Sequence, residues 1–327
     1  MPIINSAYHP PSWFKGRHLQ TIVPVLFRKV VGIQHHRERI NTDDGDFLDL
    51  DWSWSSPELA KSDKIAIISH GLEGSSRQPY MLGMAKTFNN AGWDTLSWNY
   101  RGCSGELNNK VRFYHAGYSD DLILVIDHVR KISTYKQIVL IGFSLGGNIT
   151  LKYLGENNHR LPSELTHAVI ISVPANLKAC CEEISSTPFQ KKVYQNRFLS
   201  SMKHKLAQKI IQYPDYLSHL NLDKIQSITD FDNAFTSPLW GFDNADDYYR
   251  KCSCNQFIPE VRLPTLIVNA QNDPILHPDF HPIEQCRNNE CVYLELPPEG
   301  GHVGFVCDDL HLNHWTEKRA IEFLKTG

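Results

Sequence analysis

What most constrains this chain is the order of its apolar runs: short β-branched segments alternate with stretches of helical periodicity. Four such segments lead, at 64–69 (KIAIIS), 95–100 (TLSWNY), 137–141 (QIVLI) and 168–173 (AVIISV). Successive apolar positions require burial on both faces, which is the pattern of strands inside a parallel sheet. Met81, Met84, Ala85 and Phe88 between them follow i, i+3, i+4, i+7 spacing, with Gly92 placed to end a helix. Leu122, Val125, Ile126 and Val129 repeat the spacing behind Ser119, Asp120 and Asp121, an acidic first turn that suits the positive end of a helix dipole. Leu145, Ile149 and Leu154 give a third amphipathic face. The strand series resumes at 265–269 (TLIVN) and 292–296 (VYLEL), and 47–54 predicts an antiparallel edge hairpin turning at Asp43-Asp44-Gly45. The expectation is an α/β fold with a mostly parallel sheet flanked by helices.

From about residue 177 to 253 the rhythm breaks. The segment is helical in pattern, rich in lysine (Lys191, Lys192, Lys203, Lys205, Lys209) and aromatic at its end. We read 1–176 and 254–327 as the core and 177–253 as a helical cap inserted over the ends of the strands. The cap lysines are expected on a solvated face. Trp240, Phe242, Tyr248 and Tyr249 are expected to pin the cap to the core, with lining of an acyl pocket as the alternative.

Gly142-Phe143-Ser144-Leu145-Gly146 is a G-x-S-x-G sequence lying between an apolar strand and a helix. A sharp strand-to-helix turn holds its serine in a strained, exposed conformation, and the glycines remove side chains that would collide with it. Serine is a poor nucleophile at neutral pH and needs a base. An acid after a late strand and a histidine near the C-terminus would complete the set. Asp273 follows TLIVN, and His302 follows VYLEL within a glycine-rich loop. Asp279 is the rival acid but lies beyond Pro278, farther from the strand end. His302 would take the Ser144 proton while Asp273 holds its tautomer. The oxyanion donors expected are the N–H groups of Leu145, directly after the nucleophile, and of Leu72, in the loop after the strand KIAIIS.

The segments His70-Gly71-Leu72-Glu73-Gly74, Asn99-Tyr100-Arg101-Gly102, Gly142 to Asn148 and Gly301-His302-Val303-Gly304-Phe305 resemble the YheT-like branch of the α/β hydrolases, which also holds the mammalian abhydrolase-domain proteins one to three. Gly16-Arg17-His18-Leu19-Gln20-Thr21 and Phe235-Thr236-Ser237-Pro238, with Gly241-Phe242 and Asp247-Tyr248-Tyr249, extend the likeness over nearly the whole chain. It implies carboxylesterase or lipase-like activity on small acyl esters, through an acyl-enzyme and without cofactor or metal. Acyltransferase or thioesterase chemistry on the same triad is the alternative, and a non-catalytic binding module a remoter one. The mammalian members carry an N-terminal membrane anchor that has no counterpart here.

Other features bound the reading. A net charge of −3 argues against a nucleic-acid binder. No apolar run is long enough to span a bilayer, and the N-terminus lacks the pattern of a secretory signal. Eight cysteines without a CxxC pair fit reduced thiols in a cytoplasm. Residues 24–31 are expected to pack on the domain, with transient membrane-surface contact as the alternative. His115 and Asp120 fit an H-x4-D pattern but are discounted, as are a metal role for His277 and His281, which Pro278 and Pro282 keep off one regular helix, and a nucleophilic role for Cys103.

Overall fold

A computed structural model describes residues 3–56, 62–132, 135–307 and 312–325. Nine strands form one sheet: β1 (Ile3–Ile4), β2 (His36–Asn41), β3 (Phe47–Ser53), β4 (Lys64–Ser69), β5 (Asp94–Asn99), β6 (Gln137–Phe143), β7 (Leu165–Ile171), β8 (Thr265–Val268) and β9 (Val292–Glu295). Their order is β1-β9-β8-β7-β6-β4-β5-β3-β2. Neighbours from β1 to β5 pair in parallel, and β2 and β3 form the antiparallel edge hairpin expected from the sequence.

Strand alternation divides the core. Ile65, Ile67, Leu96, Trp98, Ile138, Leu140 and Ile170 face one side of the sheet. Ala66, Ile68, Val139, Ile141, Val169, Ile171, Leu266 and Val268 face the other. The first face is covered by α3 (Asp120–Ile132) and α4 (Leu145–Glu156), the second by α2 (Pro79–Asn90) and the C-terminal helix Trp315–Phe323. In α2 and α3 the buried stripes are those read from the sequence. The third stripe understates α4, which is buried at every position from Leu145 to Leu151. It is a central helix enclosed over its first two turns, so Asn148 and Thr150 are structural, while Glu156 at its end is exposed.

Between β7 and β8 the described chain is helical: α5 (Leu177–Glu183), a long helix Asn196–Gln212, a helix Ala245–Cys252 and short turns join across it. Two expectations fail here. Lys205 and Lys209 do not lie on a solvated face: Lys209 is fully buried, with Nζ donating to the Asn108 carbonyl at 2.5 Å, and Lys205 is sealed against Glu73. Burial of the Lys209 stem pushes its pKa down to about 8. Lys191 and Lys192 are exposed as expected. The second failure is at 24–31. An N-terminal helix, α1 (Arg17–Phe27), buries Pro24 and is followed by buried Arg28, yet Leu26, Phe27 and Val31 are 61%, 67% and 73% exposed. Hydrophobicity alone could not reveal which side of a helix containing a proline would face the protein.

Candidate active site

Ser144 occupies the turn between β6 and α4 with φ 50 and ψ −120, a conformation disfavoured for any residue bearing a Cβ. The turn is tight because α4 comes close to the loop after β4: a Cβ on Gly146 would lie 2.5 Å from the Ser69 carbonyl oxygen and 2.6 Å from that of His70. The Ser144 N–H donates to the Ile171 carbonyl (2.8 Å), which fixes the turn to β7.

Asp273 and His302 arrive from the ends of β8 and β9. His302 Nε2 lies 3.0 Å from Ser144 Oγ, and Nδ1 lies 2.8 Å from Asp273 Oδ2. With the Nδ1 proton donated to the carboxylate, Nε2 is left as an acceptor facing the hydroxyl. Asp273 is 2% exposed, and its Oδ1 accepts the N–H groups of Ile275 (2.8 Å) and Leu276 (3.2 Å). Asp279, the rival, has a side chain 84% exposed. The N–H groups of Leu145 and Leu72 have no acceptor among the described residues, and both residues border the same cavity as Ser144.

Several residues that sequence reasoning assigned no role build this geometry. Thr21 of α1 accepts the His302 N–H through Oγ1 at 2.8 Å and donates to the Arg17 carbonyl at 2.7 Å. Gln20 Oε1 accepts the Gly300 N–H, and the backbone of α1 lies so close that a Cβ on Gly304 would overlap the Gln20 carbonyl oxygen. Helix α1 is therefore the splint of the histidine loop. Nothing in the local sequence announces this, because the contact spans about 280 residues. His70 does the same for the loop bearing Leu72. Its Nδ1 donates to the Gly71 carbonyl (2.7 Å), its Nε2 accepts the Tyr100 N–H (3.2 Å), and burial pushes its pKa down to about 3. Glu73 in that loop, at φ 54, is held by Lys205 (2.6 Å), Tyr114 and Ser201. Asn148 of α4 ties the returning insertion to the core by donating to the Ala116 and Cys252 carbonyls and accepting the Cys254 N–H, each at 2.8 Å.

Two cavities meet at Ser144 and His302. One, of about 110 Å³, is walled by apolar side chains including Phe113, Leu177, Ile184, Met202, Ile228 and Phe235. Trp240, Tyr248 and Tyr249 also border it, so these aromatics both pack and line, whereas Phe242 meets His115 edge to face (5.4 Å between ring centroids). Its buried polar members include His115, Thr236 and Asp232; the last accepts from Tyr249 Oη at 2.6 Å, and burial raises its pKa to about 6. The second, about 360 Å³, runs between α1 and the start of the long helix, past Tyr80, Tyr194 and Arg197.

None of the discounted residues is hydrogen-bonded to Ser144 among the described residues, although His115 borders the same cavity. His115 is buried with its pKa pushed down to about 3, while Asp120 is exposed at the start of α3. His277 and His281 flank a short 3₁₀ turn, and burial raises the Cys103 thiol to about 11.

The chain matches the α/β-hydrolase fold family over residues 67–308. It is 34% identical to a protein of Escherichia coli named as the esterase YheT, over 98% of this chain and 94% of that one. It is 28% identical to human phospholipase ABHD3 (93% and 75%) and 30% identical to a monoacylglycerol lipase of Saccharomyces cerevisiae (84% and 62%). A solved esterase of Pyrococcus furiosus superposes with a TM-score of 0.59 at 17% identity, covering 91% of this chain and 96% of its own. The sheet order, the serine turn and these likenesses agree: the chain belongs to the α/β-hydrolase family, in the YheT-like branch of esterase- and lipase-like hydrolases.

Proposed function

We propose that this protein hydrolyses carboxylic esters of small acyl substrates through an acyl-enzyme on Ser144. The observation that carries the reading is the single imidazole bridging Ser144 Oγ and the buried Asp273 carboxylate. His302 removes the hydroxyl proton as Ser144 attacks the carbonyl carbon, then returns it to the departing alcohol. The N–H groups of Leu72 and Leu145, unspent within the described protein, receive the oxyanion. Water activated by His302 then frees the acid. Every proton moved is held by these side chains, and the sequence calls for neither metal nor cofactor.

The helical insertion 177–253 serves as a cap that sets the acyl site. The apolar cavity, at about 110 Å³ the smaller of the two, takes the acyl chain, which favours short to medium chains. The wetter cavity takes the alcohol portion. Relatives named as an esterase, a phospholipase and a monoacylglycerol lipase support esters as the substrate class. Eight cysteines without a CxxC pair support a reducing, cytoplasmic setting.

Ser144→Ala is expected to lower p-nitrophenyl ester turnover by roughly 10⁴-fold or more while leaving the circular dichroism spectrum unchanged. Full activity in that variant would remove Ser144 from the mechanism. Product analysis with competing alcohols and thioesters separates hydrolysis from acyl transfer, for which the roomy second cavity could seat an acceptor.

A further inference from the structure

Positive charge and exposed apolar surface are concentrated in two stretches that help to wall the second cavity, in a way the net charge of −3 conceals. Three segments supply most of its walls: α1, which contributes Thr21, Ile22, Pro24 and Val25, the stretch 71–80 after β4, and 193–201, which contributes Val193, Tyr194, Arg197, Phe198 and Ser201. Residues 1–37 contain no acid, and neither do residues 184–214. The cations in these stretches divide by environment. Arg17 pairs with Glu183, Arg28 with Glu317, Arg37 with Asp51 and Lys205 with Glu73, Lys203 donates to the Ile225 carbonyl, and Lys209 is buried. Lys15, Lys29, Lys191, Lys192 and Arg197 are exposed, with no carboxylate at ion-pair distance among the described residues. Of the nearby acids, Glu183 is engaged by Arg17, and Glu299 accepts from the Gly16 N–H and Asn272.

Exposed apolar residues belong to the same acid-free stretches. Leu19, Leu26 and Phe27 project from α1 with exposures of 39%, 61% and 67%, flanked in the chain by Trp13 at 57% and Val31 at 73%. Phe189, 48% exposed, packs on His18 of α1 (4.6 Å between ring centroids). A cluster of exposed aromatic and aliphatic side chains set among unpaired cations is the composition of a surface that lies in an anionic lipid interface, with apolar groups entering the acyl boundary and cations at the headgroups. No helix among the described residues is long and apolar enough to cross a membrane, so contact of this kind would be peripheral.

We propose that the α1 face, with Lys15, Lys29, Lys191 and Lys192 around it, docks the protein on an anionic phospholipid surface. The other side of the same helix lines the cavity that reaches Ser144, so a docked molecule opens that cavity toward the bilayer. An ester could then enter from the lipid phase without crossing water.

Co-sedimentation with vesicles of phosphatidylcholine, alone or mixed with phosphatidylglycerol, tests this. The Ser144→Ala protein is used, so that binding is read independently of turnover and a failed esterase reading would leave the result intact. Binding to the mixed vesicles but not to phosphatidylcholine alone is expected, weakening with added salt. Leu26→Ser/Phe27→Ser and Lys191→Glu/Lys192→Glu should each reduce it by about tenfold or more. In the Ser144-containing protein both double variants should keep wild-type activity on a soluble ester and lose it on an ester dispersed in the vesicles. Absence of binding to the anionic vesicles, or equal binding by wild type and both variants, overturns the proposal. So does a concentration-dependent dimer that Leu26→Ser/Phe27→Ser abolishes without any vesicle binding, since the face would then belong to a second copy.

Discussion

Thr21 shows how much of the geometry proposed for catalysis can rest on a hydroxyl outside the Ser144–His302–Asp273 chain of contacts. Its Oγ1 is the acceptor for the His302 N–H, and it is anchored in turn on the Arg17 carbonyl. Thr21→Val keeps the shape and removes the acceptor, leaving a partly buried donor unpaired at a cost of about 1–3 kcal/mol. We expect kcat to fall roughly ten- to hundredfold with KM little changed, and Thr21→Ser to restore it. An unchanged kcat in Thr21→Val would deny the positioning role. The acid is a second test at this scale. Asp273→Asn should cost roughly 10⁴ in kcat by releasing the histidine tautomer, whereas Asp279→Asn, at an exposed side chain, should leave kinetics at wild-type values.

At the scale of elements, the loop after β4 is fixed from both sides. From below, Gly146 lets α4 approach its backbone, and Gly146→Ala would drive a Cβ into two carbonyl oxygens. From above, Lys205 of the long helix meets Glu73, the side chains being 13% and 7% exposed. Burial lowers the lysine pKa, but the neighbouring Cys103 and Glu73 more than offset this and hold it above its ordinary value. The pair thus couples the insertion to the loop that carries Leu72. Removing one partner leaves a buried charge, so Lys205→Met should destabilise by about 3–5 kcal/mol in urea unfolding, and Lys205→Met/Glu73→Gln should recover much of the loss. Equal destabilisation by the single and double variants would show that the charge on Glu73 is not what the lysine compensates.

For the whole molecule, three buried histidines set the response to acid. His70 and His115 are held near pKa 3 and His314 well below its ordinary value, in each case first by burial. In the unfolded chain each titrates near about 6.5. Between these values the unfolded state binds more protons, so stability is complete above about pH 6.5 and declines as pH falls, by about 1.4 kcal/mol per pH unit for each histidine. The urea midpoint should therefore fall on acidification from about pH 6.5, before most carboxylates protonate, and His70→Asn should flatten the slope. A midpoint constant down to about pH 5 would contradict the burial argument.

The chain's own order determined the sheet, the helices on its faces and the serine turn. These depend on local periodicity and on glycine spacing, which a sequence states directly. Ser144, Asp273 and His302, the residues proposed for the site, could likewise be singled out from the sequence, because each follows a strand whose apolar run is plain. What only the tertiary structure decided are the contacts between distant segments: Gln20 and Thr21 on the histidine loop, Lys205 on Glu73, and the orientation of α1 with Leu26 and Phe27 outward. A lysine or an aliphatic residue has the same local signature whether it meets solvent or a partner two hundred residues away. Its environment is fixed only when the sheet has assembled and the helical insertion has closed over the strand ends, since burial belongs to the packed whole.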